Sequence, residues 1–104
     1  MPKIVACAVV HDDPPEVFVA EDLETLNWVL ALKLISKTPG RDVAPALRQR
    51  LRAAIREEQW GEAVSLWMEV RPGNIDVYSS YDLHGPSDVA LAAEELQFTP
   101  LFRD

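Results

Sequence analysis

The sequence predicts an α+β fold in which a small sheet of about three strands packs against three to four helices. Three observations predict it. Residues 23–35 form an apolar stretch whose leucines recur at helical spacing. Two segments before this stretch and one after it have the composition or the alternation of β-strands. The 104 residues are 48% apolar and 26% charged, as expected for one globular domain, so we interpret residues 1–104 as a single α+β domain.

The first two strands are predicted over residues 4–10 and 16–20. The first is a run of small and β-branched apolar residues, which indicates a strand that is buried on both faces and internal to the sheet. A segment with two aspartates and two prolines follows it, and these residue types favour a turn. Because this connection has only five residues, it permits a hairpin between the two strands.

The apolar stretch predicts a central helix over residues 23–36. Asp22 is suited to cap its beginning, and Pro39 followed by Gly40 ends it. The segment is too short to cross a bilayer. Since its side chains are apolar nearly all round, we expect other elements to cover it on more than one side and to keep Trp28, Leu30 and Leu32 away from water.

A second, strongly amphipathic helix is predicted from Asp42, as N-cap, to about Gln59. Pro45 is tolerated in its first turn because the N–H group there has no partner inside the helix. Its apolar stripe and its basic face lie on different sides. The stripe comprises Leu47, Leu51, Ala54 and Ile55, and the basic face comprises Arg48, Arg52 and Arg56, with Arg50 nearby.

Residues 63–70 fit either a helix or a strand, and we favour a helix because the Gly61 break resembles the turn of a helical hairpin. Residues 75–83 alternate and predict a half-buried strand with Ile75, Val77 and Leu83 facing inward. Ser87 is predicted to cap a last helix over residues 88–96. The tail over residues 97–104 is too apolar to float free, so we expect it to dock on the core or on a partner.

Composition and charge indicate the class of protein and its cellular location. The net charge is −7, which repels nucleic acid and anionic membranes at long range, although residues 41–56 contain five arginines against one aspartate. The single cysteine, Cys7, allows no internal disulfide, and no signal-peptide pattern precedes the first strand. These features predict a small acidic cytoplasmic protein. Seven arginines against three lysines are typical of a GC-rich bacterial genome.

No motif indicates catalysis, so we expect a protein without enzymatic activity and without a cofactor. Cys7 lies in the middle of an apolar strand, where cysteine is usually an inert small side chain. The serines lack the surroundings of a nucleophile elbow, and the four glycines form no phosphate-binding loop.

The weakest hypothesis is a small metal- or ligand-binding protein that uses His11 and His84, with His11, Asp13 and His84 as the candidate metal ligands. These side chains follow the ends of two predicted strands and would meet at one sheet edge if the strands were parallel. The other interpretation is that all three are ordinary turn residues, because no ligand spacing supports the set.

The arginine-rich helix suggests a second hypothesis, binding of RNA or DNA through residues 41–56. Arginine contacts phosphate well, but recognition of single strands also requires interleaved aromatic residues, and residues 41–56 contain none. The other interpretation is a solvated helix face paired with nearby glutamates.

Our leading hypothesis is a protein-interaction or regulatory module that binds another protein or associates with itself. Aromatic residues next to arginine are what protein interfaces use as anchors. The predicted surface combines the arginine face with two aromatic residues, and the tail provides a second patch or a dimer contact. The proposed partner-binding residues are Arg48, Arg52, Arg56, Trp60, Tyr78, Phe98, Leu101 and Phe102.

Overall fold

The computed structural model describes residues 2–103 and has the α+β architecture that the sequence predicts. Within this range, one three-stranded antiparallel sheet is accompanied by five helices and three short 3₁₀ turns. None of the helices in this part of the chain is both long and apolar enough to span a bilayer. The strands are Lys3–Val10 (β1), Glu16–Ala20 (β2) and Ile75–Leu83 (β3), and the helices are Leu23–Lys33 (α1), Pro45–Arg56 (α2), Trp60–Val70 (α3), Pro86–Glu94 (α4) and Pro100–Arg103 (α5).

Strand β1 is the middle strand, as its composition predicts, and the order of the sheet is β2-β1-β3. It forms the predicted hairpin with β2, in a register that places Ala6 opposite Ala20 and Ala8 opposite Phe18. Strand β3 pairs with the other edge of β1 and also runs antiparallel to it. One face of the sheet, which we call the inner face, packs against helices, and we call the opposite one the outer face.

A β-bulge interrupts the pairing of β1 with β3. Cys7 lies opposite Tyr78, but Val5 lies opposite Tyr81, so β3 has one extra residue between these two pairs. The extra residue reverses the alternation of β3, because successive side chains of a strand point to opposite faces. The prediction that Leu83 faces inward with Ile75 is therefore wrong: Leu83 lies on the outer face.

The helices stack on the inner face in sequence. Helix α1 packs against β1 and β2, helix α3 packs against α1, and helix α2 packs against α3. Residues 63–70 are helical, as we favoured. Trp67 is the largest fully buried side chain of the core, and Leu26, Leu30 and Val10 are the next largest.

Helix α1 is covered on more than one side, as expected, but the expectation that Trp28 and Leu32 are kept away from water is wrong. Leu26, Leu30 and Ala31 are buried against the sheet and α3. Trp28 is 49% exposed and Leu32 is 43% exposed. The apolar composition of the helix did not predict this exposure, because composition does not show which side of a helix lacks neighbouring elements.

Four boundaries of the first three helices differ from those predicted, including the end of α2, which is Arg56 rather than about Gln59. Helix α1 ends at Lys33, and the chain continues in the 3₁₀ turn Ile35–Lys37. Asp42 lies in another 3₁₀ turn and does not cap α2, whose N-cap is Ala44 without a side-chain bond; Pro45, the first residue, has no N–H group to satisfy. Helix α3 begins at Trp60, three residues earlier than predicted.

The helix predicted over residues 88–96 spans Pro86–Glu94 instead, Ser87 is not its cap, and the segment predicted as a tail contains α5. Helix α4 begins at Pro86 with Gly85 as N-cap, and the carboxylate of Asp88 accepts a 2.9 Å hydrogen bond from the Gly85 N–H. This hydrogen bond stabilises the ionised carboxylate and lowers the pKa of Asp88 below its ordinary value.

Residues 86–103 form an extended arm, which we call the C-terminal arm. Its helices α4 and α5 pack mainly on the 3₁₀ turn Leu96–Phe98 between them. The molecule is 61 Å long and only 25 by 17 Å across, and its radius of gyration of 18.5 Å exceeds the roughly 13 Å of a compact domain of this length. The tail thus projects from the body, so of the two expected outcomes docking on its own core is excluded, and docking on a partner stays a prediction.

Candidate interaction surfaces

The outer face of the sheet is an uncovered apolar surface. It forms a shallow concavity of about 440 Å³ with one charged residue, Asp82, at its rim. Val17 and Val19 of the edge strand and Leu83 of the opposite edge are each about half exposed or more. No helix of the described chain packs on this face. The concavity is lined by Val5, Cys7, Val9, Val17, Val19, Tyr78, Tyr81, Asp82 and Leu83.

The two tyrosines of β3 lie side by side on this face as a consequence of the bulge. Their ring centroids are 5.7 Å apart and the ring planes are tilted by 58°. In a regular strand, residues three positions apart would point to opposite faces. Tyr78 and Tyr81 are therefore presented together, which is the arrangement of an aromatic anchor in protein interfaces.

The C-terminal arm is the second uncovered apolar surface. No residue of its helices is fully buried, and Leu101 is 84% exposed. A monomeric protein rarely leaves so many large apolar side chains in water on one segment. The six large apolar side chains that the arm exposes are Val89, Leu91, Leu96, Phe98, Leu101 and Phe102.

The predicted arginine face divides into groups with different surroundings. Arg50 forms a long ion pair with Glu62, at 3.9 Å, and both side chains are more than half exposed. Arg48 and Arg52 instead converge on Gly40. A Cβ atom placed on Gly40 would lie 3.3 Å from Cδ of Arg48, 3.9 Å from its Nη1 and 3.6 Å from Nη2 of Arg52.

The remaining arginines of the segment lie apart from this pair. Arg41 belongs to the 3₁₀ turn Gly40–Asp42 rather than to α2, because the helix begins only at Pro45. Arg56 is exposed in the last turn of α2, where a cation interacts favourably with the helix dipole.

A small cavity of about 190 Å³ lies beside the two converging arginines. Its apolar residues come from the turn after α1, from α2 and from the indole of Trp67, and its polar residues are Ser36, Thr38, Arg48 and Arg52. The Ser36 hydroxyl is already used, since it donates a 2.7 Å bond to the Leu32 carbonyl. The Nε atom of Arg48 is buried and has no hydrogen-bond partner among residues 2–103.

Trp60 is stacked on Trp28, a contact that the sequence did not indicate. Their ring centroids are 5.9 Å apart and the planes differ by 11°. The pair joins the N-terminal end of α3 to the exposed side of α1. Trp60 therefore lies on the helical side of the molecule, whereas Tyr78 lies on the outer face of the sheet. Trp60 and Tyr78 thus do not belong to one contiguous surface with the arginines, as the sequence suggested.

The predicted metal ligands are separated by the sheet topology. Because β1 and β3 are antiparallel, His11 follows the end of the sheet where Val10 pairs with Ile75, and His84 follows the other end, where Lys3 pairs with Leu83. A site shared by His11, or by Asp13 beside it, and His84 is therefore excluded by the fold. No cluster of three or more potential ligands occurs within the described residues.

His11 belongs instead to a polar network at its own end of the sheet. Its Nε2 lies 2.7 Å from Oδ2 of Asp76, and its backbone N–H donates to the Asn74 carbonyl at 2.7 Å. The Asn74 side chain donates to Asp12 at 2.8 Å. A histidine held by a carboxylate is half of a nucleophile-activating arrangement. Among the described residues, the His11 side chain hydrogen-bonds to Asp76 and to no hydroxyl or thiol.

Sequence reasoning missed the members of these groups that are distant along the chain. No motif marks Asp76 as the partner of His11, Trp28 as the partner of Trp60, or Gly40 as the neighbour of the arginine pair. Only the tertiary packing brings these residues together. Comparison with protein-family models, with curated proteins and with solved structures finds no match to this chain. Its function is therefore argued from these surfaces.

Proposed function

We propose that this chain is a non-catalytic interaction module that associates with a second copy of itself. The observation that supports the proposal most directly is the presence of two uncovered apolar surfaces in one chain, the outer sheet face and the C-terminal arm, which do not cover each other. Each surface is suited to bury the other, so a second copy supplies both complementary halves.

The dimensions of the two surfaces agree. Helix α4 has nine residues and is about 14 Å long. A sheet of three strands spaced by about 4.8 Å is roughly as wide, so the helix can lie across the outer face. The arm leaves the body at Leu83, on the edge strand of the same face, and only two residues separate β3 from α4.

A twofold arrangement would bury enough area for a stable dimer. Two exchanged arms, each with six exposed large apolar side chains, would remove on the order of 1,000 Å² from water before the sheet faces are counted. Specific interfaces bury about 1,600 Å² in total. In such an exchange each copy gives its arm and receives the other, which is the reciprocal contact that a twofold dimer requires.

The mass in solution tests the proposal. Sedimentation over a range of protein concentrations is expected to show a dimer, and a monomer at all concentrations would overturn self-association. Val19→Lys on the sheet and the double variant Phe98→Ser, Phe102→Ser on the arm are each expected to weaken the dimer by at least about tenfold. Leu32→Ser, which alters an exposed leucine of the helical layer, is the matched control and leaves the dimer unchanged.

Mixing the two defective variants tests the exchange itself. Each homodimer has two damaged contacts, but a mixed dimer has one intact arm on one intact sheet, so mixing should restore partial dimerisation. Arms that fold back on their own sheets, or sheets that pack directly on each other, give no rescue.

Binding of RNA or DNA remains the alternative proposal, supported by the charge of residues 41–56 alone. It requires binding that weakens steeply as salt increases and that depends on Arg56 as well as on Arg48 and Arg52. No retention of labelled oligonucleotides at low salt would remove it.

A further inference from the structure

We infer that the cavity beside Arg48 and Arg52 is a binding site for a small organic carboxylate, a compound with one carboxylate group on a short apolar body. This inference is independent of self-association, since the cavity lies between the turn after α1 and helices α2 and α3, away from the outer sheet face and the arm.

The electrostatic argument begins with the two arginines. Their guanidinium groups both come within 4 Å of the point where a Cβ of Gly40 would lie. Neither forms an ion pair or a hydrogen bond with another of the described residues. Two cations that converge without an anion repel each other, and an oxyanion between them removes that repulsion.

The hydrogen-bonding argument comes from Arg48. Its Nε is buried without a partner, whereas buried polar groups in folded proteins are nearly always hydrogen-bonded. Nε itself is closed to a water-sized probe, so a ligand in the cavity reaches the guanidinium through its two Nη groups, which can bind a carboxylate by two parallel bonds. Thr38 adds a hydroxyl that makes no hydrogen bond to other residues in the range 2–103, while the Ser36 hydroxyl is engaged with the Leu32 carbonyl.

The shape and the apolar residues of the cavity define the rest of the ligand. Away from the arginines and the hydroxyl groups of Ser36 and Thr38, the lining is hydrocarbon and indole. A volume of about 190 Å³ is below the roughly 300 Å³ at which drug-sized pockets begin, but above the roughly 150 Å³ that hold a benzene molecule. This volume is sufficient for a ring or a short branched chain, which would lie over these largely buried side chains. The apolar lining residues are Ile35, Val43, Leu51, Ile55 and Trp67.

Gly40 is part of the same site. It lies in a 3₁₀ turn directly above the two arginines, and any side chain there would occupy the space between their guanidinium groups. A larger residue at this position would crowd the anion while leaving both charges in place. Weaker binding to such a variant would therefore indicate a shaped site rather than a diffuse positive surface.

Titration of the full chain with benzoate tests the inference, with benzamide as the neutral isostere and inorganic phosphate as the anion without an apolar body. Saturable binding of benzoate is expected, with a shift of the Arg48 Nε–H resonance in a proton–nitrogen spectrum. Benzamide and phosphate should bind at least about tenfold more weakly. Equal binding of benzamide, or equal binding of phosphate, would overturn the assignment of a carboxylate with an apolar body, as would no saturable binding of benzoate.

Variants locate the site. Arg48→Gln and Arg52→Gln should each weaken benzoate binding by at least about tenfold, and Gly40→Val by about fivefold or more, while Arg56→Gln on the same helix leaves it unchanged. Thermal unfolding of each variant reports whether it is folded, and Arg52→Gln and Gly40→Val keep the Arg48 resonance as a local probe. An equal loss in Arg56→Gln would mean that the charge of the helix, and not the cavity, attracts the anion, and would overturn the inference.

Discussion

The indole N–H of Trp67 donates a hydrogen bond of 3.1 Å to the side-chain oxygen of Asn74. Trp67 is the largest buried side chain of the core, and Asn74 immediately precedes β3. The same amide donates to Asp12 in the turn after β1. Asn74 thereby joins the end of the helical layer to two strands of the sheet.

Replacing Asn74 should therefore cost more than an ordinary surface substitution. Asn74→Ala removes both side-chain hydrogen bonds and leaves a buried indole N–H without its acceptor, so we expect a loss of about 1–3 kcal/mol in the free energy of unfolding. Urea denaturation measures it as a lower midpoint with an unchanged slope. Ser65→Ala on the exposed side of α3 is the control, and a loss as small as in that control would contradict the role given to Asn74.

Two leucines of helix α1 should differ sharply in their contribution to stability. Leu30 is fully buried, and Leu30→Ala is expected to lower the free energy of unfolding by about 2–5 kcal/mol, because it removes packed atoms and leaves a cavity. Leu32 is 43% exposed, and Leu32→Ala should cost less than about 1 kcal/mol. Chemical denaturation of both variants checks the pair. Similar losses would mean that the exposed side of α1 is covered in solution.

The stack of Trp28 on Trp60 should give a measurable coupling energy. A double-mutant cycle with Trp28→Leu and Trp60→Leu is expected to show about 0.5–1.5 kcal/mol, the range for aromatic pairs. A parallel cycle that combines Trp28→Leu with Phe98→Leu on the distant arm should be additive within about 0.5 kcal/mol. Additivity in both cycles would show that the two rings do not interact in solution.

The turn between α2 and α3 contains a residue in a strained conformation. Glu58 has φ of 58°, in the left-handed region that disfavours residues with a Cβ atom. Glu58→Gly is therefore expected to raise the free energy of unfolding by about 0.5–1 kcal/mol. Glu57→Gly, at φ of −89°, relieves no strain and should be destabilising. A lower thermal midpoint for Glu58→Gly would refute the prediction.

Acid should weaken the beginning of helix α1. The Asp22 carboxylate accepts a 2.8 Å hydrogen bond from the Thr25 N–H, and this bond lowers the pKa of Asp22 below 3.8. Because the folded-state pKa is the lower one, the stabilisation is fully present above pH 3.8 and is lost as the pH falls through the folded-state value. Asp22→Asn keeps a capping side chain that does not titrate, so its urea midpoint should fall less with acid than that of the natural protein. Identical pH profiles would contradict this assignment.

Local patterns predicted the three strands and, with α3 favoured over a strand, the four longer helices of this fold, whereas α5 lies in the segment predicted as a tail. The apolar run of β1, the helical spacing in α1 and the stripe of α2 each reflect interactions between residues close in the chain, so strands and helices appear where expected. Cap positions were predicted less well. Asp42 and Ser87 are good capping residues in isolation, but 3₁₀ geometry and the proline-led starts of α2 and α4 take precedence.

The candidate sites could not be predicted in the same way, because their members are far apart in sequence. A single additional residue in β3 decides that Tyr78, Tyr81 and Leu83 share one face. Strand direction decides that His11 and His84 lie at opposite ends of the sheet. Neither the bulge nor the direction leaves a trace in residue spacing, since both depend on which strand is the neighbour.

The sequence by itself determined where helices and strands form and which of their residues are apolar, because these properties depend on backbone preference and on periodicity over a few residues. Only the tertiary structure decided which apolar surfaces remain in water, namely the outer sheet face, the C-terminal arm and part of α1. It also decided that Arg48 and Arg52 meet above a cavity. Burial is a relation between distant segments, and the free energy that fixes it arises only when those segments pack.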